Sequence, residues 1–138
     1  MSLEVANIGS EPFSFTGALH TYLRVANLET ASVLGLQNRP FVDEVTEMPM
    51  IDSAPALKFD GLTDRVYPDA AALEVLVHTG LGGIHVVSEG FRDLVIWNPG
   101  QKAAASLADR KRHTQHPPLV SLTTDLADTY RNCHRSSL

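Results

Sequence analysis

Between Phe13 and Val25 apolar and polar side chains alternate along the chain. Phe13, Phe15, Leu19, Leu23 and Val25 fall on one side, with Gly17 and Thr21 among them; Ser14, Thr16, Ala18, His20, Tyr22 and Arg24 fall on the other. A period of two held over this length predicts a half-buried strand. Leu73 to Thr79 repeats the pattern, setting Leu73, Val75 and Val77 against Glu74, Leu76 and His78. Ala56 to Phe59, Ile84 to Ser88 and Leu94 to Trp97 are shorter β-rich runs. Turn formers punctuate the same region: Gly35, Asn38-Arg39-Pro40, Asp60-Gly61, Pro68-Asp69 and Pro99-Gly100, with Gly80 to Gly83 placed as a hairpin turn between two strands. Short strands with Gly/Pro punctuation predict an all-β sandwich or barrel. No convincing amphipathic helix precedes residue 100. Ala103 to Ala108 has helix propensity but is short, and Leu119 to Tyr130 reads as a short helix.

Length and composition narrow the class. The 138 residues suffice for one domain with a core, and 43% hydrophobic with 20% charged is a globular balance. No run reaches the roughly 20 apolar residues of a membrane span. Met1-Ser2-Leu3-Glu4-Val5 carries neither the basic start nor the apolar run of a secretory signal. A single cysteine, Cys133, forms no internal disulfide, so a reducing, cytoplasmic setting is the default expectation.

Charge divides the chain. Residues 1–109 hold 6 Lys/Arg against 14 Asp/Glu, whereas residues 110–138 hold 5 against 2. The acidic body argues against nucleic acid as a partner, because that affinity rests on clustered cations. The division predicts a β-sandwich over 1–109 and a basic tail over 110–138, disordered or a short helix. His113, His116, Cys133 and His134 cluster in that tail, but their spacing matches no established metal-ligand pattern.

Candidate chemistry centres on His20. It shares the polar side of its strand with Tyr22, which can stack on or hydrogen-bond a ligand, and Arg24, which can pair with an anion. Spacing alone leaves two readings open: a surface or structural histidine, or a proton-transfer group. Asp64, in Asp64-Arg65-Val66-Tyr67, either offers acceptors to sugar hydroxyls or caps a turn. Trp97 reads as a core aromatic followed by the turn Asn98-Pro99-Gly100, and His78 and His85 read as structural. No nucleophile elbow, phosphate-cradling glycine loop or His-Glu-x-x-His helix is present.

Four motifs in order, Ala18-Leu19-His20-Thr21-Tyr22, Gly35-Leu36, Asp64-Arg65-Val66-Tyr67 and Val95-Ile96-Trp97-Asn98-Pro99-Gly100, make the chain resemble the glucose-6-phosphate 1-epimerases (hexose-6-phosphate mutarotases) of the aldose 1-epimerase group. The resemblance runs from about Leu3 to Asp109. It implies a partial β-supersandwich of galactose mutarotase-like type, with antiparallel sheets and a sugar groove on one sheet face. The implied reaction interconverts the α and β anomers of a hexose 6-phosphate with no metal or organic cofactor. By the same resemblance His20 is the acid that protonates the ring oxygen, Asp64 binds sugar hydroxyls, and Arg65 neighbours the site.

Two departures accompany it. Family members begin upstream, with further strands and phosphate-binding arginines, so the chain reads as truncated at its N-terminus. The family also continues after a segment like Ala105 to Asp109 into a strand bearing a catalytic glutamate. Here the sequence turns basic at Arg110, as a frame or splice change would make it, and no glutamate follows Glu89. The expectation is an epimerase-like chain of weak or no activity, or alternatively a non-catalytic carbohydrate-binding module.

Overall fold

The computed structural model describes residues 4–70, 72–100 and 119–126, with the backbone alone at 119 and 124–126. Among the described residues it holds ten strands: β1 (Gly17–Arg24), β2 (Ser32–Leu34), β3 (Pro40–Asp43), β4 (Met48–Ile51), β5 (Ala56–Lys58), β6 (Thr63–Tyr67), β7 (Glu74–His78), β8 (Gly83–Val87), β9 (Asp93–Asn98) and β10 (Leu119–Leu126). They form two sheets, one in the order β1-β10-β9-β6-β3-β4 and one in the order β5-β2-β7-β8. Every pairing is antiparallel. The all-β, antiparallel expectation holds, and no described helix is long and apolar enough to cross a membrane.

Alternation creates the core. Leu94 and Ile96 of β9, Val120 and Leu122 of β10, Phe41 of β3 and Tyr67 of β6 are buried in one cluster with Val33, Leu57, Val75 and Val77 of the smaller sheet. Burying side chains of this size contributes about 1.5–3 kcal/mol each, which is why the apolar register is kept on every central strand. The strand expected over Phe13 to Val25 is ordered as β1 from Gly17, with its two faces sorted as the alternation required.

Residues 119–126 correct the helix expected over Leu119 to Tyr130. They form β10, which lies between β1 and β9. Val120 and Leu122 enter the core while Ser121 and Thr123 alternate with them. That period of two, made by β-branched Val and Thr, outweighs a weak local helix preference once a strand on each side offers hydrogen bonds. The boundary expected at 109–110, the helix propensity read over Ala103 to Ala108, and His113, His116, Cys133 and His134 lie outside the described residues.

Gly35 shows why the turn after β2 admits no side chain. Its φ is +99°, and a Cβ there would sit 2.5 Å from the Glu74 carbonyl oxygen at the start of β7. Gly35→Ala should therefore lose at least roughly 1–3 kcal/mol in urea denaturation, the cost of a sparsely populated backbone state. Gly61, with nothing within 4 Å of its virtual Cβ, is the matched control. Gly61→Ala should be neutral or stabilising by up to about 1 kcal/mol. Equal losses at the two positions would contradict the steric account.

Candidate functional site

Register decides which residues meet on the face of the six-stranded sheet that turns away from the core. Residues directly opposite in antiparallel strands point to the same side. His20 of β1 pairs with Thr123, which pairs with Val95, which pairs with Val66. One step along, Tyr22 pairs with Ser121, Ser121 with Trp97, and Trp97 with Asp64. Strand alternation then adds Arg24 beyond Tyr22. One open face thus carries His20, Tyr22, Arg24, Thr123, Ser121, Trp97 and Asp64.

His20 is held at one ring nitrogen. Its Nδ1 lies 3.0 Å from Thr123 Oγ1, and Thr123 Oγ1 lies 3.4 Å from Ser121 Oγ. Both hydroxyl residues are buried, at 8% and 3% exposure, although His20 itself is exposed. The edge strand thus presents an imidazole whose base is anchored in the sheet's interior strand.

Asp64 is fixed by its neighbours rather than by a partner for its carboxylate. Its carbonyl oxygen accepts the Glu44 N–H at 2.9 Å, and its register partner is Trp97. The turn after Trp97 braces the approach to β6. Asn98 is buried and its Oδ1 accepts the Gly100 N–H at 2.8 Å. Gly100, at φ +74°, packs so close that a Cβ would lie 2.9 Å from the Gly61 carbonyl carbon. Burial raises the Asp64 carboxyl above the ordinary aspartate range, and the Asp43 charge pushes the same way.

Arg65 does not join this face. It points to the opposite side of β6, where Nη1 lies 3.1 Å from Asp52 Oδ2 and the guanidinium carbon 4.5 Å from the Phe41 ring centroid. Tyr67 donates its hydroxyl to the same Asp52 oxygen at 2.9 Å. Burial raises the Tyr67 hydroxyl well above the usual tyrosine range; its Asp52 bond adds to this while Arg65 opposes it. Consecutive residues of a strand face opposite ways, so Asp64 and Arg65 cannot line one face.

Trp97 was expected in the core and is not there. Leu94, Ile96 and Asn98 take the buried positions of β9, leaving Trp97 half-buried on the His20 face between Asp64 and Ser121. Its being out of phase with Leu94 and Ile96 was the signal. Ser121 and Thr123 were missed because their segment was read as helical, although their alternation with Val120 and Leu122 pointed to a strand. His85 and His78 lie on the smaller sheet, away from this face. His85 Nε2 is 3.2 Å from Glu74 Oε2 across the β7–β8 hairpin, an exposed pair that sequence spacing concealed. No group of three His, Cys, Asp or Glu that could hold a metal occurs among the described residues.

A sheet presenting a histidine, an aromatic ring and a carboxylate together is a surface suited to a polyhydroxylated ligand. The aldose 1-epimerase family model matches residues 1–122, and the chain belongs to that family. It is 30% identical over 105 residues to a protein of Cenchrus ciliaris named "Putative glucose-6-phosphate 1-epimerase", covering 75% of this chain and 32% of that protein. A Salmonella typhimurium protein of the same name is 34% identical over 104 residues, covering 70% of this chain and 33% of the relative. The chain thus spans about a third of the length of these curated relatives. The crystal structure of a "putative mutarotase (YeaD)" from Salmonella typhimurium superposes with a TM-score of 0.68 at 28% identity, over 85% of this chain and 40% of that one. The HI1317 crystal structure shares the fold, with a TM-score of 0.63 at 16% identity over 83% of this chain and 40% of that one.

Two stability measurements separate Asp64 from Arg65. Removing the guanidinium in Arg65→Ala leaves Asp52, 4% exposed, with Tyr67 as its remaining side-chain partner. The expected loss is about 1–3 kcal/mol in urea denaturation; unchanged stability would show that Arg65 does not hold Asp52. Asp64 has the opposite sign. With its pKa raised by folding, ionising the carboxylate costs stability, a cost absent below the unfolded value and complete above the folded one. Asp64→Asn should therefore match or exceed the parent's thermal midpoint at pH 7, with any gain fading towards pH 3. A clear loss at pH 7 would mean that the carboxylate is stabilising after all.

Proposed function

We propose that the chain binds a hexose 6-phosphate on the His20 face and that His20 acts there as the acid of a weak or silent anomer interconversion. The observation that carries this reading is the register row joining Tyr22, Ser121, Trp97 and Asp64 beside His20 on one open face. Trp97 and Tyr22 offer apolar ring faces to the sugar, Asp64 accepts from its hydroxyls, and Arg24 adds a cation for the phosphate. His20 and Asp64 stand three strands apart, a backbone separation of ~14 Å at the usual strand spacing. A ligand touching both would therefore lie across Thr123, Ser121 and Trp97. The single cysteine supports a reducing, cytoplasmic setting.

The reaction requires a base to remove the proton of the anomeric hydroxyl while C1–O5 breaks and O5 takes a proton from the acid. Closure on either face of the rotated aldehyde then returns both protons. Here His20 supplies the acid half. Among the described side chains, the β10 positions beside it are the hydroxyls Ser121 and Thr123, while Asp93 lies two strands from β1 and Asp64 three. A missing base costs a factor of about 10²–10⁴ in rate. Those hydroxyls also favour the second reading, a binding module that performs no chemistry.

Because Trp97 is the chain's one tryptophan, its fluorescence reports directly on this face. Glucose 6-phosphate should change the emission saturably, with glucose weaker and Asp64→Ala weakening the response. Two-dimensional exchange NMR should show anomer exchange at or slightly above the buffer rate, with any excess lost in His20→Ala. Exchange far above buffer would refute the impaired-enzyme reading. Neither fluorescence change nor calorimetric binding would refute the sugar face altogether.

A further inference from the structure

The Ser121–Thr123 pair has no counterpart in the expectations drawn from sequence, and its placement under His20 is specific. Thr123 is β-branched, buried and on a strand flanked on both sides, so its hydroxyl is a fixed point. His20 is on an edge strand and exposed, so its ring has no comparable packing to orient it. A 3.0 Å contact at Nδ1 ties the imidazole to the sheet. Which ring nitrogen carries a proton is set by the bond the other makes.

We propose that Ser121 and Thr123 form a two-hydroxyl relay that positions His20 and serves both of its protonation states, leaving Nε2 as the nitrogen that meets the ligand. This deepens the reading of His20 as the acid of the sugar face and rests on it for its functional meaning. A hydroxyl both donates and accepts. With the ring neutral, Ser121 O–H donates to Thr123 Oγ1 and Thr123 O–H donates to Nδ1. All three atoms are then satisfied by one another, and the ring proton sits on Nε2. With the ring charged, Nδ1–H donates to Thr123 Oγ1, whose hydrogen turns to Ser121 Oγ. A carboxylate in place of Thr123 would accept in both states and fix a proton on Nδ1; a backbone N–H would donate in both and oppose one. The relay permits proton exchange at Nε2 while Nδ1 stays bonded throughout. Thr123 is a positioning residue on this account, since it acts through His20.

Long-range ¹H–¹⁵N correlation of the imidazoles in the full chain tests the relay whether or not the chain is active, with His20→Gln assigning the signals. The neutral His20 ring should show the Nε2–H tautomer with Nδ1 shifted as a hydrogen-bond acceptor. Thr123→Val should move Nδ1 to the free-acceptor position, and Thr123→Ser should restore it. A parent ring in the Nδ1–H tautomer, or a Thr123→Val spectrum matching the parent, overturns the proposal. Thr123→Val removes a buried hydroxyl, so its far-UV circular dichroism is compared with the parent; should it unfold, Ser121→Ala provides the same reading, with a weakened Nδ1 shift expected and an unchanged one overturning the relay. If anomer exchange is measurable, Thr123→Val should lower its turnover roughly ten- to a hundredfold at little change in sugar affinity. Normal relay spectra with no exchange and no sugar binding would sink the functional reading and leave the relay standing.

Discussion

The insertion of β10 between β1 and β9 is the constraint on which the rest of this fold depends. β1 pairs with no other described strand, running Gly17 to Arg24 against Leu126 to Leu119, and β10 pairs onward with β9 through residues 121–125. Among the described strands, the His20 strand is thus joined to the sheet through β10 alone. Val120 and Leu122 make that attachment strong, because they are buried with Ile96, Leu94 and the valines of β7. Loss of their burial would release the site strand together with the core. The residues that hold the sheet together and those that hold His20 are therefore alternate members of one strand.

Strand sidedness explains how one motif divides between the core side and the open face of the sheet. Asp64 and Arg65 adjoin in sequence, yet the first lies on the open face and the second joins Asp52, Tyr67 and Phe41 on the other. The two halves are coupled through the backbone of β6. Pinning Arg65 and Tyr67 to one Asp52 oxygen fixes the rotation of the strand about its axis, and that rotation aims Asp64. The Asn98–Gly100 turn closes on Gly61 at the other end of the same segment. Asp64 can then keep a carboxylate half-buried beside the Asp43 charge, a position that the strand imposes rather than one its carboxylate prefers.

Much of this was legible from the chain, and the losses have physical causes. The faces of β1 and β7 followed from period-two alternation, because one face of each turns inward, partly buried in β1 and including the buried Val75 and Val77 in β7, and a slip would expose it. The hairpin at Gly80 to Gly83 followed from glycine chemistry: Thr79 N–H bonds the Gly82 carbonyl at 2.9 Å. β2 and β3, at three and four residues, are too short for periodicity to register. β4, Met48-Pro49-Met50-Ile51, is exposed throughout and shows no alternation to read. Arg65, set beside the site by the family resemblance, turns to the other side of β6 because consecutive strand residues alternate. The alternation of Val120 and Leu122 with Ser121 and Thr123 is β10's local signature, but it spans four residues, and the pairing that decides for a strand comes from β1, a hundred residues upstream.

A histidine bonded to a hydroxyl, as His20 is to Thr123, is chemically different from one paired with a carboxylate. A carboxylate partner would stabilise the imidazolium and specify a single tautomer; hydroxyls can follow the ring through either state. Ser121 and Thr123, the two β10 side chains tied to His20, offer neutral donors and acceptors at Nδ1. Tyr22, Trp97 and Asp64 reach the same face from β1, β9 and β6. The polar face is thus assembled from four strands whose register aligns its members. A change confined to β10 would therefore alter the partner of His20 while Tyr22, Trp97 and Asp64 kept their places on their own strands.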